Sequence, residues 1–159
     1  MIIKQILDED FVNYKKPSMF IGFPSCTFKC EIECGEHCCQ NSALAQSPNI
    51  EVSVDNIVQR YLSNPITSAI VCGGLEPMDS FEDLWRFIFH LRVKGCTDDV
   101  VIYTGYYENE IPQEHLNRLS LVPNIIIKFG RFKPNEEKHY DDILGVLLAS
   151  NNQYARRIS

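Results

Sequence analysis

The sequence predicts an α/β protein built on a mostly parallel sheet. Three observations predict it. Short, continuously apolar β-type runs recur along the chain, as strands covered on both faces require. Amphipathic patterns at helical spacing lie between them. Glycine-bearing turns close the strand candidates. No repeat, low-complexity stretch or long linker divides the 159 residues. The expectation is therefore one domain over 1–159.

The elements follow in order. Ser18 to Phe23 reads as the first strand, and a cysteine-rich loop comes next. Val54, Ile57, Val58, Tyr61 and Leu62 fall at helical spacing within Val52 to Leu62, with Ser53 as the expected cap and Pro65 as the stop. Ser68 to Cys72 is the second strand, closed by Gly73-Gly74. Asp79-Ser80-Phe81-Glu82 has the form of a capping box, and the helix behind it puts Phe81, Leu84, Trp85, Ile88 and Leu91 on one face until Gly95. Val100 to Tyr103 is the third strand, halted at Thr104-Gly105. A short helix is expected from Pro112, a fourth strand at Asn124 to Lys128 and a fifth at Gly145 to Leu148. In parallel sheets of this kind ligands gather at the carboxyl ends of the strands. One topology brings the cysteine loop, the Gly-Gly turn and the Thr-Gly turn to the same rim.

Composition narrows the function classes. Hydrophobic residues make up 45% of the chain and charged residues 23%, enough core and too little charge for disorder. A net charge of −6 disfavours a nucleic-acid binder. No apolar run approaches the roughly 20 residues of a membrane span. Met1 to Lys16 lacks the apolar block of a secretory signal, so the expected location is the cytoplasm. No Ser-His-Asp order, phosphate loop or paired metal histidines support a hydrolase or kinase.

Cysteine usage is the unusual feature. Five of the seven cysteines lie between Cys26 and Cys39. In a reducing compartment such a cluster points to a metal rather than to disulfides. Thiolates suit iron–sulfur cores, and three of them would leave one iron of a cubane open. Cys26, Cys30, Cys34 and Cys38 also supply four thiolates, enough for a tetrahedral zinc site, although the spacing is unlike paired Cys-x2-Cys knuckles. A buried helix carrying a cysteine stripe is disfavoured by Gly35 and its polar neighbours. Cys72 and Cys96 read as small core residues, and His37 as a solvated loop residue.

Cys26-x3-Cys30 resembles the start of the Cys-x3-Cys-x2-Cys loop of radical S-adenosylmethionine (SAM) enzymes. Cys39-Gln40-Asn41-Ser42 resembles the end of that loop in the activating proteins of anaerobic ribonucleotide reductase, with Gln40 in an aromatic slot. Phe20-Ile21-Gly22, Gly73-Gly74-Leu75-Glu76-Pro77, Tyr103-Thr104-Gly105-Tyr106, Phe129-Gly130-Arg131-Phe132 and Ala149-Ser150-Asn151-Asn152-Gln153 are similar, in the same order, to further stretches of that family. Two departures stand out. After the two residues that follow the second cysteine, the position for the third cysteine is Glu33, and Lys128-Phe129 occupies a region where the activating proteins carry an acid.

The resemblance implies a partial (βα) barrel and a [4Fe–4S] cluster held by Cys26, Cys30 and Cys39, with Cys34 and then Cys38 as alternative third ligands. It implies SAM as a second cofactor, bound near Gly73, Gly74, Glu76, Thr104 and Gly105. The implied activity is that of a radical SAM oxidoreductase: reductive cleavage of SAM to a 5′-deoxyadenosyl radical, activating a large glycyl-radical reductase, with a small electron donor such as flavodoxin as a further partner. Two other readings remain: a metal-binding module, zinc or iron–sulfur, that serves interaction without catalysis, and a radical SAM enzyme with another substrate.

Overall fold

A computed structural model describes residues 1–159. The apolar runs form the strands that their composition dictates, and the polar edges of the sheet come from segments that the hydropathy pattern does not mark. In chain order the elements begin with β1 (Ile2–Ile3), β2 (Gln5–Asp10) and β3 (Ser18–Phe23). They continue with α1 (Lys29–Cys34), α2 (Ser42–Gln46), β4 (Ile50–Glu51), α3 (Val54–Leu62) and β5 (Ala69–Gly74). A 3-10 turn (Pro77–Ser80) leads into α4 (Phe81–Val93) and β6 (Asp99–Tyr103). A second 3-10 turn (Glu108–Glu110) precedes α5 (Gln113–Ser120) and β7 (Ile125–Phe129). β8 (His139–Asp141), β9 (Val146–Leu148) and β10 (Tyr154–Arg157) complete the chain.

The fold is mixed α/β. Its main sheet has six strands in the order β10-β7-β6-β5-β3-β2. The four central strands are parallel, and β2 and β10 pair antiparallel at the two edges. β2 and β10 do not pair with each other, so the sheet is open. No helix is long and apolar enough to cross a membrane.

Alternation along the parallel strands assigns their two faces. Met19, Ile21, Ile70, Cys72, Val100, Ile102, Ile125 and Ile127 point to the main core, where α3, α4 and α5 add Ile57, Leu84, Ile88 and Leu119. Val71, Val101 and Ile126 point the other way, into a smaller cluster with Tyr14, Leu144 and Leu148. That second face carries no long helix. The β8–β9 hairpin and the segment around Tyr14 cover part of it. The fifth expected strand, β9, thus lies outside the main sheet.

Local signals hold in several places. Ser53 caps α3, accepting from the Asn56 N–H at 3.1 Å. Phe81, Leu84, Ile88 and Leu91 are buried on α4, while Trp85 is only partly covered. Two expectations need correction. The Asp79–Glu82 stretch does not form a capping box at α4: Ser80 makes no side-chain cap, and the preceding turn is capped by Glu76 instead. Gly73 and Gly74 close β5 from within, as its last two residues, paired with Gly22 and Phe23, rather than as a turn that follows it.

The reason lies in space rather than in turn chemistry. Gly74 has φ +81°, and an added Cβ would lie 2.8 Å from Gly22 Cα and 2.9 Å from a Leu44 methyl. A Gly74→Ala variant is therefore expected to lose about 1–3 kcal/mol, through left-handed strain plus the backbone clash. Urea unfolding of the variant beside the parent measures it; equal midpoints would mean that the approach of β3 to β5 is not constrained here.

Candidate functional site

The cysteine loop, the end of β5 and the turn after β6 meet at the carboxyl ends of the strands, on the face without long helices. Phe20, Val71, Val101 and Ile126 align across β3, β5, β6 and β7. The next row toward the carboxyl ends holds Gly22, Gly73, Tyr103 and Lys128. Two members of that row have no side chain, and a cavity of about 500 Å³ opens above it. Cys26, Cys30, Cys39, Gly73, Gly74, Glu76, Thr104 and Gly105 all line this cavity. Cys34 faces a smaller neighbouring recess together with Glu33 and Lys133.

The loop has its own internal order. Phe28 adopts φ 52° and opens α1, a short helix on which no residue is buried. Cys30 and Cys34 stand one turn apart on it, so the cysteine stripe disfavoured as a buried helix exists as a half-exposed one. Asp79 tethers the loop's start, accepting from the Thr27 N–H at 3.1 Å and from the Tyr106 hydroxyl at 2.5 Å. Asn41 tethers its end, donating to the Gly74 carbonyl at 2.6 Å. Glu33 on α1 pairs with Arg131 and Lys133, each at 3.2 Å.

All seven cysteines are free. Three of their sulfurs bond to the backbone: Cys26 Sγ accepts from the Phe28 N–H at 3.2 Å, Cys34 donates to the Glu36 carbonyl at 3.2 Å, and Cys38, which also neighbours Cys34, donates to the Cys30 carbonyl at 3.6 Å. Burial pushes the Cys26 thiol up to about 12 against the help of the Phe28 N–H, and burial also raises Cys30. Metal ligation requires thiolates. No group of three His, Cys, Asp or Glu side chains is placed so as to hold a metal ion. The arrangement of the donors in this structure does not fit a cluster or a zinc ion.

Glu76 is the most constrained polar group at the site. It is only 4% exposed. Its Oε1 accepts from Met78 N at 3.0 Å and Thr104 Oγ1 at 2.8 Å, and its Oε2 accepts from Gly105 N at 2.8 Å. Burial raises its pKa to about 7, with these three bonds and their donors opposing the rise. Both oxygens are thus occupied within the protein, joining the end of β5 to the Thr104-Gly105 turn.

Lys128 was not among the site residues expected from the sequence. It is 6% exposed and lines the cavity. Its signal was a lone cation in the run Ile125-Ile126-Ile127-Lys128-Phe129, where every other residue is apolar. The isolated residues behave as read: Cys72 is fully buried in the core, Cys96 is partly buried against it, and His37 is exposed beside Glu31. His115 is used in packing, its ring stacked on Phe81 at 3.6 Å.

A family described as a 4Fe-4S single cluster domain matches residues 19–154. No curated protein matches the chain. These findings correct the resemblance to radical SAM enzymes and to the activating proteins of anaerobic ribonucleotide reductase. The matching family is an iron–sulfur domain family rather than the radical SAM catalytic one, and no donor group assembles a catalytic metal centre. The expected enzyme, an oxidoreductase making a 5′-deoxyadenosyl radical, is withdrawn with it. So are the [4Fe–4S] and SAM cofactors as expected at these positions. Three cavity-lining thiols are not three gathered ligands. Glu76, one of the residues expected near SAM, accepts from Met78, Thr104 and Gly105. The match spans the cysteine loop, the four parallel strands and the cavity-lining turns, so by sequence the chain belongs to the 4Fe-4S single cluster domain family.

Proposed function

We propose that the protein is a metal-binding interaction module without catalysis, with the loop from Cys26 to Cys39 as its metal-responsive part. The observation that carries this reading is the family match over a segment that holds all five clustered cysteines. Cys26, Cys30 and Cys39 already share one cavity wall, although no three donors are gathered to hold a metal ion. Metal uptake on this reading needs deprotonation and a closing of α1 and the residues after it. The exposed Phe11, Val12 and Leu147 supply apolar area for a protein partner. Seven free cysteines favour a reducing compartment, and the cytoplasm is the proposed location. The finer architecture proposed is a partial barrel, with the four parallel strands as its wall and the helix-free face as its interior.

The test is metal content. Anaerobic exposure to zinc, or to iron with sulfide, followed by elemental analysis and thiol alkylation, is expected to yield a bound metal and protection of the clustered cysteines. A Cys26→Ser or Cys30→Ser variant is expected to lose both, and Cys96→Ser neither. A chain that takes up no metal under either condition overturns the reading.

A further inference from the structure

Lys128 is a buried cation that the fold itself leaves undersupplied. Its Nζ donates to the Gly130 carbonyl at 2.6 Å, and this is its one hydrogen bond. An ammonium has three donors, so two remain. The other charged groups lining the cavity are engaged. Arg131 pairs with Glu110 and Glu33. Lys29 lies 3.5 Å from Glu110. Asp10 accepts from the Val12 and Asn13 backbones and from the Asn13 side chain. Glu76 holds three donors and attracts Lys128 only through space. A buried charge without a partner is costly.

The surroundings describe what would complete it. Tyr103 is the register neighbour of Lys128 across β6–β7, and its ring lies 5.9 Å from Nζ. Gly73 leaves the sheet bare between Phe20 and Tyr103: an added Cβ would meet the Phe20 ring at 3.2 Å and Tyr103 Cβ at 3.4 Å. The space beside the cation is therefore walled by aromatic surface. We infer that this cavity binds a small organic monocarboxylate, its carboxylate on Lys128 Nζ and its apolar body against Phe20 and Tyr103. One cation balances one negative charge. A phosphate dianion would bring a second, unpaired charge into a cavity that Glu76 and Asp10 already face. The inference does not rest on metal binding.

Benzoate is the probe, with benzamide as its uncharged analogue and inorganic phosphate as the competing anion. Each is titrated into the purified chain while the lysine side-chain NMR resonances are followed. Benzoate is expected to bind and to shift the Lys128 resonance. Benzamide is expected to bind at least about tenfold more weakly, as loss of a charged hydrogen bond implies. Lys128→Met is expected to weaken benzoate by a similar factor while leaving benzamide unchanged, with Lys128→Gln as the substitute if the Met variant does not fold. Absence of benzoate binding, equal binding of benzoate and benzamide, or tighter binding of phosphate overturns the inference.

Discussion

Replacing Glu76 with alanine is expected to lower the unfolding free energy by about 3 kcal/mol, measured by denaturant unfolding at neutral pH. The carboxylate gathers donors from three places: Met78 N, Thr104 Oγ1 and Gly105 N. Thr104 is 1% exposed and Glu76 is 4% exposed, so water does not simply take over. Leaving a buried donor without an acceptor costs about 1–3 kcal/mol, and part of the loss is recovered because a buried carboxyl is itself unfavourable. Glu76→Gln is expected to be milder. Its amide oxygen still serves one side of the network, but its NH2 faces the Gly105 N–H. If the alanine variant unfolded at the same denaturant concentration as the parent, Glu76 would not be the clamp between β5 and the turn after β6.

Stability should also fall as pH rises from about 4.5 to about 7. The ordinary carboxyl value is 4.5, and burial raises Glu76 to about 7 in the folded chain. Between those values the folded state binds more protons than the unfolded state. Unfolding free energy therefore declines with pH across that window, by about 3 kcal/mol at most. Lys128 has the opposite sense. Burial lowers it from 10.5 to about 7, so above pH 7 the unfolded state binds more protons and stability recovers. The recovery is visible up to about pH 9, beyond which cysteines raised by burial, such as Cys26, act against it. Carboxylates whose values are lowered, such as Asp8 through Arg60, act only below their ordinary 3.8. Thermal unfolding of the parent and of Glu76→Gln across pH 4.5–9 checks this. The parent should show a minimum near neutrality, and the variant should lose the acidic limb. His115, lowered by burial, adds a rise towards its ordinary 6.5, so a profile that climbs from pH 4.5 to 7 equally in the parent and in Glu76→Gln would show that Glu76 is ionised throughout.

The legibility of the fold followed burial. The central strands and α3, α4 and α5 were readable because each buries an apolar run or stripe. β2 and β10 were not. Their sequences, Gln-Ile-Leu-Asp-Glu-Asp and Tyr-Ala-Arg-Arg, carry charges because an edge strand needs only one neighbour and gains from polar residues that deter a second. Asp79 was read as a helix cap, since an acid ahead of Phe81-Glu82 has that local form. Its carboxylate instead holds Thr27 and Tyr106, partners 52 and 27 residues away.

The sequence by itself determined the α/β alternation, the cysteine-rich loop after the first parallel strand, and the glycine positions from which the cavity is cut. Those are local properties: periodicity, residue type and spacing. Only the tertiary structure decided what the groups do to one another. It left no three of the metal-type donors gathered around one point, occupied both oxygens of Glu76, and left Lys128 buried with a single acceptor. Ligation, hydrogen bonding and charge compensation depend on distances of a few ångströms between segments far apart in the chain. Spacing along the chain does not specify such distances until the strands are paired.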